Sequence, residues 1–188
     1  MLESLITRRM IAHIAAVCDC SFDSARELRT KWLAKHQTRY TLLACKAEGF
    51  DVDKFIANTY LAVNVPAFIS QDRVLHNILK YMKGPKDVLT NNPSAYASVI
   101  LAALGISTQI KHVYGMQENN FILKPDPMAF AHWIGPATNG EKVVFFDDVL
   151  ANINAAKELG FITVLVGDAP DSIGIADYHV ANMNELYG

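Results

Sequence analysis

KVVFFDDVLANINAAKELGFITVLVG, residues 142–167, is the stretch whose reading decides the fold. Val143 to Phe146 are four consecutive apolar residues, the pattern of a strand buried on both faces, and they end in Asp147-Asp148. A run of helical length follows, about 150–159, and then a second apolar run, 161–167. Strand, helix, strand over this span predicts a parallel crossover unit. Upstream the alternation repeats: "DVLT" (87–90), a helix over about 94–104, "HVYG" (112–115), a helix over about 127–134. Strands separated by helices of this length predict an α/β fold with a doubly wound parallel sheet.

The first eighty residues contain no strand pattern. Leu2, Leu5, Ile6, Met10, Ile11, Ile14 and Val17 recur at close to helical spacing. Further helical runs are expected from Phe22 to about His36 with Ser21 as cap, from about Thr38 to Glu48 stopping at Gly49, after Asp51, and from about Asp72 to Met82. The change of period places the seam at the Gly84-Pro85 turn, giving an all-helical domain over 1–83 and an α/β domain over 84–188.

Composition narrows the function classes. The 188 residues are 51% hydrophobic and 19% charged, enough to build a core and too little charge for a disordered chain. Seventeen Lys and Arg against nineteen Asp and Glu leave a net charge of -2, with no basic excess to hold nucleic acid. No apolar run reaches the ~20 residues of a membrane span. The N-terminus lacks the pattern of a signal peptide, so a cytoplasmic location is expected. Cys18, Cys20 and Cys45 are odd in number, which fits a reducing compartment. Cys18-x-Cys20 beside His13 lacks a second pair of metal ligands and reads as small apolar residues at a helix end.

In open α/β sheets ligands bind outside the carboxyl ends of the strands, and three strand ends here carry polar residues. At the first, Thr90 closes a strand, Asn92 can cap the next helix and Pro93 suits its first position. A hydroxyl, an amide and free helix N–H groups then form an anion site, or simply an ordinary cap. At the second, Lys124 is followed by Pro125-Asp126-Pro127, whose prolines stiffen the loop from which its ammonium points. At the third, Asp147 and Asp148 repel each other unless a cation shares them, and oxygen ligands favour Mg²⁺. Helix capping is the alternative for that pair.

The order Thr-Asn, Lys-Pro, Asp-Asp on successive strand ends resembles the haloacid dehalogenase-like (HAD) phosphohydrolase superfamily. Within it, "RRMIAHIAAVCDCSFDSARELRTKWLAKH" (8–36), "VLTNNPSAYASVILAALGI" (88–106), "KPDPMAF" (124–130) and residues 143–167 resemble the pyrimidine 5'-nucleotidase-like branch with its helical cap. The resemblance implies a Rossmann-like core, Mg²⁺-dependent hydrolysis of a phosphomonoester, and a small phosphorylated metabolite, such as a nucleotide, as partner. By that resemblance Thr90 and Asn91, beside Asn92, bind the phosphoryl group; Lys124 steadies its charge; Asp147 and Asp148 hold Mg²⁺; and Asn152 supports the turn around the acids. Asp168 and Asp171 of "VGDAPD" are a second candidate metal motif, less favoured because "NINAAKELG" follows Asp147-Asp148 as in the family.

The family's first motif, Asp-x-Asp-x-Thr/Val at the end of a central strand, has no counterpart in the sequence. Its first Asp is the nucleophile and its second the general acid and base. Asp19 and Asp23 of "CDCSFD" have the wrong spacing and read as helix-end residues. The expectation is therefore a chain with little or no phosphatase activity and weak Mg²⁺ binding: a truncated enzyme, or a non-catalytic phosphate-binding or scaffolding relative. Without a central strand, the strands ending at Thr90 and Asp148 must pair directly, recruit another segment, or leave backbone groups unpaired. A receiver domain would order its acids before its lysine, and a dinucleotide fold would need Gly-x-Gly-x-x-Gly, which is absent.

Overall fold

The computed structural model describes residues 2–131, 142–167 and 174–186. The chain divides into two compact units, 1–70 and 71–188.

The first unit is helical: α1 (Leu2–Val17), α2 (Phe22–Lys35), α3 (Thr41–Ala47) and α4 (Val52–Asn58), with a 3-10 turn at Val65–Ala67. Ile6, Met10, Ile11 and Ile14 form the buried stripe of α1. They share the core with Leu42, Ala44 and Cys45 of α3 and Phe55 and Ile56 of α4. Ser21 caps α2 by accepting the Ser24 N–H (3.1 Å), and Asp51 caps α4 by accepting that of Lys54 (3.0 Å). α3 starts later than its sequence pattern suggests, after Tyr40, and ends before Gly49, whose φ of +87° turns the chain out of the helix. His13 packs edge-on against Phe55 with ring centroids 5.4 Å apart. Burial pushes the Cys45 thiol up to about 12.

The second unit opens with α5 (Arg73–Tyr81), one helix earlier than the Gly84-Pro85 turn expected as the seam. The reason is its packing. The Asp72 N–H that precedes it bonds the Leu104 carbonyl (3.0 Å), and His76 meets Gln109 (3.3 Å), so α5 belongs with residues of the α/β part. There follow β1 (Asp87–Leu89), α6 (Ser94–Leu104), β2 (His112–Tyr114), α7 (Pro127–Ala131), β3 (Val144–Asp147), α8 (Leu150–Glu158), β4 (Ile162–Val166) and β5 (Tyr178–Val180). The helix expected over about 127–134 is described only to Ala131; Asp168 and Asp171 lie outside the described residues.

All strand pairs are parallel, as the crossover pattern requires. Among the described residues they form two sheets: β1 pairs with β2, and separately β3, β4 and β5 pair in that order, with no ladder between β1 and β3. The core of this unit is Phe130 of α7, Phe145 of β3, Ile153 and Ala156 of α8, Phe161 and Leu165, with Leu89 of β1 packed against it. At the far edge Asp177 accepts the Thr163 N–H (2.8 Å) and hydroxyl (2.9 Å), extending the β4 ladder with a side chain. Among the described residues no helix is long and apolar enough to cross a membrane.

Candidate functional site

The polar residues that end β1 and β3 form a connected set with Lys124, which lies in the loop before α7 and not at a strand end as expected, since β2 stops at Tyr114. β1 stops at Leu89, and the Thr90 hydroxyl accepts the Asn92 N–H (3.1 Å), folding the chain back toward α6. Asn91 then reaches across to the loop before α7: its Oδ1 accepts the Lys124 N–H and its Nδ2 donates to the Lys124 carbonyl, both at 2.8 Å. One amide thus holds the Lys124 backbone at both polar groups, beside a cis Lys124-Pro125 peptide. Asp126 accepts the Met128 N–H (2.9 Å) and starts α7 at Pro127.

Lys124 Nζ donates to Asp147 Oδ2 at 2.7 Å, with side-chain exposures of 10% and 6%. The ammonium also lies 5.3 Å from the centre of the Phe145 ring. Asp147 Oδ1 accepts two further bonds, from the Val149 N–H (2.9 Å) and from Asn152 Nδ2 (2.8 Å). Asn152 is itself buried, and its Oδ1 has no partner among the described residues. Both oxygens of Asp147 are therefore engaged, and its charge is matched by Lys124. Asp148 is exposed.

Asn91, Lys124, Asp147 and Asn152 come together; Asn92 does not join them. Its carbonyl accepts the Met116 N–H (3.0 Å), and the N-cap of α6 is Pro93, with no side-chain cap. The capping expected of Asn92 fails by one position, because the Thr90 turn carries the chain one residue further before it becomes helical. The first turn of α6 stands beside a recess of about 150 Å³ lined by Thr90, Asn92, Tyr96, Ala97, Ile100 and Leu101.

Two residues that sequence reading passed over hold this turn. Glu118 accepts the Gly115 N–H (2.9 Å) with one oxygen and the Ser94 hydroxyl (2.7 Å) with the other. At Gly115 the backbone passes so close that a Cβ would sit 2.3 Å from the Ser94 nitrogen and 2.7 Å from the Asn92 oxygen. Neither neighbour is a flexible side chain, so the backbone itself must move. Gly115→Ala is expected to cost about 1–3 kcal/mol, toward the upper end, and to displace the Thr90–Ser94 turn. Chemical denaturation together with amide shifts of Asn91 to Ser94 measures both; an unchanged turn would show that the contact relaxes freely. Only the convergence of two chain segments identifies these residues, and no local pattern announces it.

Mg²⁺ prefers near-octahedral oxygen coordination, usually through one or two carboxylates plus water. Here one carboxylate of the pair is spent on Lys124, Val149 and Asn152, leaving Asp148. Among the described residues no cluster of three or more His, Cys, Asp or Glu could hold a metal ion. As arranged, the acids do not fit a Mg²⁺ site. Among the described residues the nucleophile has no candidate either. Asp51-Val52-Asp53 has the Asp-x-Asp spacing, but it opens a helix of the first unit, with Asp51 spent on its cap and Phe55 where the motif needs Thr or Val.

No family model matches the chain, and no curated protein does. Solved structures do. A HAD phosphatase from Thermococcus onnurineus is 17% identical with a TM-score of 0.64, the match covering 99% of this chain and 87% of that one. An L-2-haloacid dehalogenase from Xanthobacter autotrophicus, with chloropropionic acid covalently bound, is 13% identical at a TM-score of 0.55, covering 98% and 83%. YfnB from Bacillus subtilis, solved bound to magnesium, is 14% identical at 0.55, covering 99% and 90%. At these identities the likeness is one of fold, and the fold is HAD-like.

Proposed function

We propose that this chain is a HAD-like phosphohydrolase of the pyrimidine 5'-nucleotidase type that retains an anion-recognition end but has little or no phosphatase activity of its own. One observation carries the reading: Asn91, Lys124 and Asp147 are locked together at the strand ends, with both oxygens of Asp147 occupied. A phosphate of a small metabolite would meet the N-terminus of α6, which has no side-chain cap, the Thr90 hydroxyl and the Lys124 ammonium. That combination attracts an anion without needing a nucleophile. Because Lys124 is shared with Asp147, the attraction is weak. Mg²⁺, with only Asp148 uncommitted, binds more weakly still.

The alternative within the same frame is a non-catalytic phosphate-binding or scaffolding protein, and one experiment addresses both. Purified protein is assayed for release of phosphate from uridine and cytidine monophosphates with Mg²⁺, and is titrated calorimetrically with inorganic phosphate and with Mg²⁺. The expected result is no turnover above buffer, weak phosphate binding reduced by Thr90→Val, and still weaker Mg²⁺ binding. Robust Mg²⁺-dependent hydrolysis that disappears in Asp148→Ala would overturn the reading. Tight Mg²⁺ binding without phosphate binding would reverse the order of the two ions.

A further inference from the structure

Helix α1 has a second face. Leu5, Arg8, Arg9 and Ala12 recur at spacings of three and four, so they lie in one row, on the side of the helix away from the buried Ile6, Met10 and Ile14. With Phe22, the first residue of α2, they line a pocket of about 370 Å³ that lies wholly within the helical unit. That volume falls at the lower end of the roughly 300–1,000 Å³ usual for small-molecule sites. Phe22 is 40% exposed and Leu5 is half-buried, so the pocket offers hydrocarbon to solvent beside its two cations.

Those cations are uncommitted. The unit has five arginines, and three are engaged: Arg26 with Asp23 (2.6 Å), Arg29 with the Thr41 hydroxyl (2.8 Å) and Arg39 with the Tyr40 hydroxyl (2.9 Å). Among the described residues neither Arg8 nor Arg9 has a hydrogen bond or an ion pair. Arg8 is exposed, and water serves it. Arg9 is not served in this way: its Nε is buried and has no acceptor. A buried donor without a partner is costly, more so on a charged group, and native structures keep few of them.

We propose that this pocket binds a small organic carboxylate, an acid group on an apolar body, of which a medium-chain fatty acid is the simplest. A guanidinium pairs best with a planar group that offers two oxygens, through the Nε–H and one Nη–H of a single edge. Turning that edge of Arg9 toward a carboxylate in the pocket gives its Nε–H the acceptor it lacks, and Arg8 adds a second positive charge. Leu5, Ala12, Phe22 and the arginine stems cover the hydrocarbon. A phosphate monoester fits less well. It brings a third oxygen and a second negative charge, and the side chains of Leu5, Ala12 and Phe22 supply no donor for them. An uncharged hydrocarbon would cover the guanidinium groups without compensating them. The site stands apart from the strand-end residues of the second unit and does not depend on their reading as an anion site.

The test titrates the full chain with sodium octanoate, followed by calorimetry and by the NMR signal of the Arg9 Nε–H. Saturable binding with a shift of that signal is expected, with octanamide, the uncharged analogue, at least tenfold weaker. Arg9→Gln should lower octanoate affinity at least tenfold, and Arg9→Lys, which keeps the charge without the two-donor edge, should restore only part of it. Arg8→Gln changes an exposed residue, so it keeps the fold even if Arg9→Gln does not, and it should weaken binding several-fold. Arg26→Gln removes a charge already paired with Asp23 and should have no effect. Inorganic phosphate should not compete, whether or not it binds the second unit. Absence of saturable binding, equal affinity for octanamide, displacement of octanoate by phosphate, or unchanged affinity in Arg8→Gln and Arg9→Gln would each overturn the proposal.

Discussion

Replacing Lys124 by methionine is expected to destabilise the α/β unit by about 3–5 kcal/mol, far more than the loss of a surface lysine. The side chain is 10% exposed and its partner Asp147 is 6% exposed, so the substitution leaves a buried carboxylate without its countercharge. The two bonds from Val149 and Asn152 remain, but they do not neutralise it. The partner variant, Asp147→Asn, keeps an oxygen for those donors and should cost less. The double variant should recover much of the loss, because removing both charges spares the desolvation that the pair endures. A urea double-mutant cycle reads this directly. A cost of at most about 1 kcal/mol for Lys124→Met, with no coupling to Asp147, would mean that the pair behaves as a solvated surface bridge.

The same bond constrains function. A lysine that must neutralise a buried carboxylate is half-spent before any anion arrives, so Lys124→Met removes stability and anion affinity together. Asp148→Ala separates them. Asp148 is exposed, and its loss should leave the fold intact, so any change in ion binding there reports the site alone.

What was legible in the sequence followed from periodicity and termination. Four apolar residues stopped by two acids predict a buried strand; β3 does run from Val144 to Asp147, but Phe145 is its buried residue and Val144 is 47% exposed, so the strand is there and the burial on both faces is not. The strands at 87–89, 112–114 and 162–166 and the helix caps Ser21, Asp51 and Asp72 rest on equally local signals. β5 was not legible: Tyr178-His179-Val180 has no more β character than many loops, and the strand exists because β4 offers it an edge. Nor was the use made of Asn91 legible. The sequence marks it as polar residue beside a strand end, but its amide serves the Lys124 backbone 33 residues away, a partnership that only the packed chain creates.

The loop that carries Lys124 leads directly into α7, which opens at Pro127. What holds it is Phe130, fully buried and edge-on to Phe145 at 5.3 Å and Phe161 at 6.3 Å between ring centroids. Phe130→Ala is expected to cost about 3–5 kcal/mol through lost transfer energy and the cavity it leaves among rigid rings. Met128, on the same helix but 52% exposed, provides the control, and its change to alanine should stay within about 0.5 kcal/mol. Because α7 follows Lys124-Pro125-Asp126 directly, loosening its anchor should also free the Lys124 ammonium from its fixed place beside Asp147. Urea denaturation of the two variants, with hydrogen exchange at the Lys124 amide that Asn91 protects, measures both effects. Equal losses for Met128→Ala and Phe130→Ala, or full protection of the Lys124 amide after Phe130→Ala, would show that the loop is held by Asn91 alone and that the aromatic cluster serves only the core.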